Sequence, residues 1–165
     1  MPKPAGYIGE PFRAGYTTCI CYNVFNSKTL YDPANLFRGM VEEYTMPYPE
    51  ALRRNIIAKN RELLQGKIPS YLRQVEKAVK RNDIVSVNHR LSELLASYFD
   101  ILYAFNRKFH PGEKRLIDLT IDSCELLPKD FGAVLSELLH GNRDEIVLVI
   151  HKLVSNLDDL LGSAA

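Results

Sequence analysis

The apolar positions along the chain follow two patterns. Residues 16–25, Tyr-Thr-Thr-Cys-Ile-Cys-Tyr-Asn-Val-Phe, are dense in β-branched and aromatic side chains and predict a strand. Asn26-Ser27-Lys28 is a turn, Thr29-Leu30-Tyr31 starts a return strand, and Asp32-Pro33 stops it. A lone hairpin is marginal in water, so this one needs a surface to lie on.

Beyond Pro33 the spacing becomes helical. A short helix is predicted over 34–44, ended at Met46-Pro47-Tyr48-Pro49. Pro49 suits a first helical position, and Leu52, Ile56, Ile57, Leu63 and Leu64 carry an apolar stripe to Gly66, a C-cap residue. Pro69 opens the next helix, with Leu72, Val75 and Val79 on one face and Arg73, Lys77, Lys80 and Arg81 on another. Asp83 is the predicted N-cap of the longest helix, Ile84 to Phe109, which Pro111-Gly112 breaks. Further helices are predicted from Leu116 to Pro128, from Phe131 to Leu139, and from a capping box at Asn142/Glu145 to Leu161.

The expected fold is mainly α: an up-and-down bundle of about five or six helices over 34–165. An extended lead-in and the small β-hairpin occupy 1–33.

Composition narrows the function classes without naming one. Apolar residues make up 46% and charged residues 25% of the 165 residues, which fits a folded domain rather than a disordered chain. The longest apolar run, Ile146 to Ile150, is far short of the ~20 residues of a membrane helix. Met1-Pro-Lys-Pro carries no apolar signal core, so a cytoplasmic protein is expected. The three cysteines then read as reduced thiols. His89, His110, His140 and His151 show no i,i+4 pair, so no metal site is expected.

Net charge is +1 but unevenly spread: nine Lys/Arg against three acids over 49–81, three against nine over 116–165. The two regions can attract each other inside the fold, or the first can face a phosphate-bearing partner.

Chemistry concentrates on the long helix. Besides its apolar face, a second stripe reads His89, Glu93, Ala96, Asp100, Tyr103 and Arg107. Such a stripe is either a solvated face or the polar wall of a cleft. In a cleft, Glu93 or Asp100 would accept a proton from a hydroxyl. The following corner, Asn106 to Arg115, packs four basic residues and His110 together. Lys114 and Arg115 near a helix start are candidates for a phosphate site, against a plainer reading as caps and surface ion pairs. No nucleotide-binding glycine loop, nucleophile elbow or H-E-x-x-H motif appears, nor a Gly-Ser followed by D-x-D.

Three stretches nonetheless resemble one family. Thr29-Leu-Tyr-Asp-Pro33, Tyr48-Pro-Glu-Ala-Leu52-Arg-Arg-Asn-Ile-Ile57 and the run FDILYAFNRKFHPGEKR, Phe99 to Arg115, are similar to the C-terminal half of bacterial polymerase-beta-like nucleotidyltransferases, of which kanamycin nucleotidyltransferase is the familiar type. The similarity spans about residues 16–140. It implies a helical, substrate-side domain that closes over a nucleotide held by a catalytic sheet, with the hairpin as the tail of that sheet. It also implies that magnesium and a nucleoside triphosphate are bound only when the catalytic part, absent from this sequence, is supplied. Glu93 or Asp100 would then act as base toward the acceptor hydroxyl. His89, Tyr103, Asn106 and Arg107 would contact substrate, and Lys114 and Arg115 the triphosphate.

Without the D-x-D strand this chain is not expected to transfer a nucleotide alone. Two alternatives stand beside this reading. One is a non-enzymatic helical protein that pairs with a separate minimal transferase. The other is an RNA-binding bundle using the basic 49–81 face. Self-association into a homodimer is expected of an exposed hairpin edge.

Overall fold

The computed structural model describes residues 16–44, 47–67 and 69–163. The lead-in expected over 1–14 and Met46 therefore lie outside the described residues. The described chain is mainly helical. Its eight α-helices are α1 (Cys19–Asn26), α2 (Leu36–Tyr44), α3 (Glu50–Gln65), α4 (Tyr71–Lys80), α5 (Ile84–Phe105), α6 (Leu116–Ser123), α7 (Phe131–His140) and α8 (Ile146–Ser163). A single 3-10 turn, Arg143–Glu145, precedes α8. None of these helices is long and apolar enough to cross a membrane.

The N-terminal hairpin is corrected. Cys19–Asn26 is a helix, residues 27–31 carry no strand pairing, and no strand occurs among the described residues. The density of β-branched and aromatic residues pointed to a strand, but Thr18, Tyr22 and Phe25 recur at helical spacing. Thr18 is buried, and Phe25 stacks on Phe109 with ring centroids 5.2 Å apart. Tertiary packing overrides local β preference here. The helix count is likewise higher than five or six: eight α-helices occur among the described residues, α1 among them, where a strand was expected.

Local signals set several boundaries. Asp83 caps α5, accepting the Ser86 N–H at 3.1 Å. Gly66 ends α3 and Gly141 ends α7. Asn142 accepts the Asp144 N–H at 3.1 Å ahead of α8. α5 stops at Phe105, short of the expected Phe109. Asn106 leaves the helix and its side chain clamps the distant Leu126 backbone, donating to the carbonyl (2.9 Å) and accepting from the N–H (2.8 Å). Arg107 follows with φ +56°, and Arg115, before α6, has φ +51°. Gly112, with φ +94°, takes a conformation that glycine adopts readily.

α5 is the axis of the molecule. α3 and α4 pack along it, α4 also meets α8, and α8 pairs with α7. From Ala96 to Phe105 every residue of α5 is buried, so this helix has no free side there. The uneven charge is used internally: Arg61 of α3 pairs with Asp158 of α8 at 2.8 Å, Gln65 donates to the same carboxylate at 2.5 Å, and His151 of α8 meets Glu76 of α4 at 2.9 Å.

Candidate functional site

Two features meet at the C-terminal half of α5: a buried polar node and an aromatic cleft. Asp100 forms the node and is 1% exposed. Thr17 donates its backbone N–H to Oδ1 (3.1 Å) and its hydroxyl to Oδ2 (2.5 Å). Asn60 of α3 donates its amide to Oδ2 at 3.1 Å and to the Ile56 carbonyl at 3.0 Å. One carboxylate thus joins the residues before α1 to α3 and α5. Burial raises the Asp100 pKa above the usual carboxylate value; the donors from Thr17 and Asn60 and the charge of Lys59 only partly oppose this. Around it, the Tyr48 hydroxyl, Arg53 Nε and Asn60 Oδ1 are buried with no hydrogen-bond partner among the described residues. Arg53 also lies over the Phe105 ring, 5.3 Å from its centroid.

The cleft, of about 220 Å³, opens between α1, α6 and the corner after α5. Tyr22, Tyr103 and Phe109 form aromatic walls, with Lys108, Asp122 and Ser123 supplying polar groups. Phe109 is held by Phe25 and by Tyr48, whose ring lies 5.3 Å away. Beside it His110 is fully buried, with the Tyr16 and Tyr103 rings each 5.0 Å from its own. The His110 N–H donates to the Thr18 hydroxyl at 2.8 Å, and its Nδ1 accepts the Gly112 N–H at 3.0 Å. Accepting at Nδ1 puts the imidazole proton on Nε2.

Burial lowers the His110 pKa from 6.5 to about 4, so the ring is neutral in the fold at pH 7. A depressed histidine pKa means that the unfolded chain binds the proton first as pH falls. Its stabilising contribution is full above pH 6.5 and is lost toward pH 4, by about 2 kcal/mol between pH 7 and pH 5. Asp100 acts in the opposite sense, because a raised carboxyl pKa favours the fold as the proton is taken up. Urea midpoints of the wild type and His110→Gln at the two pH values isolate the imidazole: the acid loss is expected to shrink in the variant.

The other residues singled out by spacing are dispersed. Tyr103 lines the cleft and its buried hydroxyl accepts from Thr120 at 3.0 Å. Asn106 is engaged with the Leu102 and Leu126 backbone. Arg107 is exposed and hydrogen-bonded through Nε to Glu50 at the start of α3, holding the Glu50 carboxyl below its ordinary pKa. Glu93 is half-buried and accepts a 3.4 Å hydrogen bond from Tyr71. His89 and Lys114 are exposed, and Arg115 is exposed 3.5 Å from Asp118. α5 rises about 1.5 Å per residue, so His89 and Glu93 stand well away from the cleft end. Sequence reasoning missed Thr17 and Asn60 as partners of Asp100, and Tyr22, Lys108 and Phe109 as cleft walls. The Thr18–Tyr22–Phe25 spacing was the available signal for α1.

Among the described residues no three His, Cys, Asp or Glu side chains converge as a metal site. No curated protein and no solved structure matches the chain. One family profile, described as a domain of unknown function (DUF4037), matches residues 17–116. That span begins at the Asp100-binding Thr17 and takes in Asn60, the whole of α5 and the corner carrying Lys108 and Phe109. With more than half of its 165 residues in the match, the chain belongs to the DUF4037 family.

Proposed function

We propose that this chain is the substrate-side helical domain of a nucleotidyltransferase-like protein, an up-and-down bundle that works in the cytoplasm with a catalytic unit supplied separately. The observation that carries the reading is the aromatic cleft. Half of its lining comes from a segment that bears the resemblance: Tyr103, Lys108, Phe109 and Pro111 lie within Phe99–Arg115, while Tyr22, Leu119, Asp122 and Ser123 lie outside it. Flat aromatic walls suit a planar base or a sugar ring, and Lys108 at the wall suits an anionic substituent. Leu30, Tyr31 and Leu36 support the need for a catalytic partner. They are 89%, 86% and 77% exposed, at the segment where the resemblance puts the join to a catalytic sheet.

In this reading Asp100 is a positioning residue that fixes Thr17 and α1 against the cleft. Glu93 stands about 15 Å of helix rise from Tyr103, out of reach of a substrate in the cleft, so the base toward an acceptor hydroxyl is not assigned to it. Magnesium would be held by the catalytic unit.

The test is calorimetric and NMR titration of the full chain with nucleoside triphosphates, with and without magnesium. Saturable binding that shifts resonances of Tyr22, Phe109 and Ser123 is expected. Tyr22→Ala and Lys108→Ala should each weaken it at least tenfold while leaving the far-UV circular dichroism unchanged. No binding at millimolar nucleotide, or equal binding by both variants, overturns the reading.

A further inference from the structure

A second concave surface lies at the other end of α5. The groove, of about 160 Å³, is lined by Gln74 and Lys77 of α4, by its C-cap Arg81, and by Ser86 and Arg90 from the start of α5. Ser86 and Tyr103 are separated by about 25 Å of helix rise, so this is not the aromatic cleft.

Among the described residues, three cations and no carboxylate line this groove; the nearest acids on the same two helices point their hydrogen bonds to other partners. Glu76 meets His151 at 2.9 Å, and Glu93 accepts from Tyr71 at 3.4 Å. Asp83 accepts both the N–H (3.1 Å) and the hydroxyl (2.6 Å) of Ser86, and stands 3.6 Å from Arg81. Lys77 and Arg90 have no carboxylate within ion-pair distance among the described residues. Asp83, paired with Arg81, offsets one positive charge, and Lys77 and Arg90 are left as exposed cations on the groove wall.

An anion bound there would pair with the two cations that have no carboxylate partner among the described residues. Two guanidinium groups with an ammonium between helices match the several oxygens of a phosphate, which guanidinium binds through paired N–H donors. We propose that the α4–α5 groove is a binding site for a phosphate group, carried by a nucleotide or by a nucleic-acid backbone.

The test uses the full isotope-labelled chain, titrated with inorganic phosphate at constant ionic strength and, in parallel, with chloride. Saturable shifts of the Arg81–Ser86 amides by phosphate, absent with chloride, are expected. The triple variant Lys77→Gln/Arg81→Gln/Arg90→Gln should bind at least tenfold more weakly, whereas Arg143→Gln, in the 3-10 turn, should bind as the wild type does. Two further arms separate the sources. A nucleoside triphosphate site gives one-to-one saturation. A single-stranded RNA gives a log–log salt slope that falls by about 2 when the three cations are removed. Shifts confined to the aromatic cleft, equal shifts with chloride, or undiminished affinity in the triple variant would overturn the groove assignment. The first of these leaves the cleft reading standing.

Discussion

Asp100→Ala is expected to destabilise the protein by about 3 kcal/mol, whereas Asp100→Asn is expected to stay within about 1 kcal/mol of the wild type at pH 7. The alanine leaves three donors without their acceptor, two from Thr17 and one from Asn60, in a site only 1% exposed. Each buried unsatisfied donor costs on the order of 1 kcal/mol or more. Relief of the charged carboxylate's desolvation works against this loss. That relief is why asparagine is mild: it is neutral, keeps one acceptor oxygen, and brings an N–H₂ to the neighbourhood of the unpartnered Asn60 Oδ1. Urea denaturation at pH 7 measures both. Equal damage from the two substitutions would mean that the negative charge itself holds Thr17. No damage from alanine would mean that the node does not anchor α1.

Phe99→Ala should remove about 3–5 kcal/mol, a large share of the stability of an ordinary domain. The ring is 4% exposed and stands edge-on to Phe131 of α7 (centroids 6.1 Å, 90°) and to Tyr98 (5.6 Å, 88°). Truncation forfeits the burial of the ring and leaves a void between α5 and α7, because close-packed neighbours relax only partly. Phe99→Leu fills most of that space and should lose considerably less. Leu95→Ala is a contrasting control: spacing puts Leu95 on the apolar face, but it is only half-buried, so its truncation should cost about 1 kcal/mol. The comparison is read from denaturant midpoints at unchanged slope. A loss below 1 kcal/mol for Phe99→Ala would show that α7 does not depend on this contact.

What the sequence revealed and what it hid divide along the range of the interaction responsible. Asp83 and Gly66 act within a few residues, and their roles were legible as local chemistry. So was the helical character of α5, carried by its apolar period, although Pro111-Gly112 was not what ended it: α5 stops at Phe105. The surroundings of Asp100 were not legible. Periodicity put it on a polar stripe with His89 and Glu93, yet that stripe meets solvent only at its two ends, at His89 and at Arg107 beyond the helix. Between them Ala96 to Phe105 is buried on every side, and the partners of Asp100 lie 83 and 40 residues away. Nor does any local rule show that Asn106 leaves the helix to hold Leu126. For α1 the local composition argued for the wrong element. The contacts that decide it, Phe25 on Phe109 and Thr18 on His110, join distant parts of the chain.

The corners at Arg107 and Arg115 are turned by side-chain-bearing residues in a backbone region that favours glycine, at a conformational cost of about 1 kcal/mol each. At Arg107 the cost brings a tether, the guanidinium grip on Glu50 that fastens the far end of the long helix to the first turn of α3. At Arg115 the nearest carboxylate, Asp118, is exposed and 3.5 Å away, and the compensation is slight. Glycine scanning therefore sorts the two: relaxation of the main chain should raise thermal tolerance at 115, while at 107 the gain should be cancelled by loosening of the joint. A gain at 115 would leave that exposed guanidinium with no part in the cohesion of the fold.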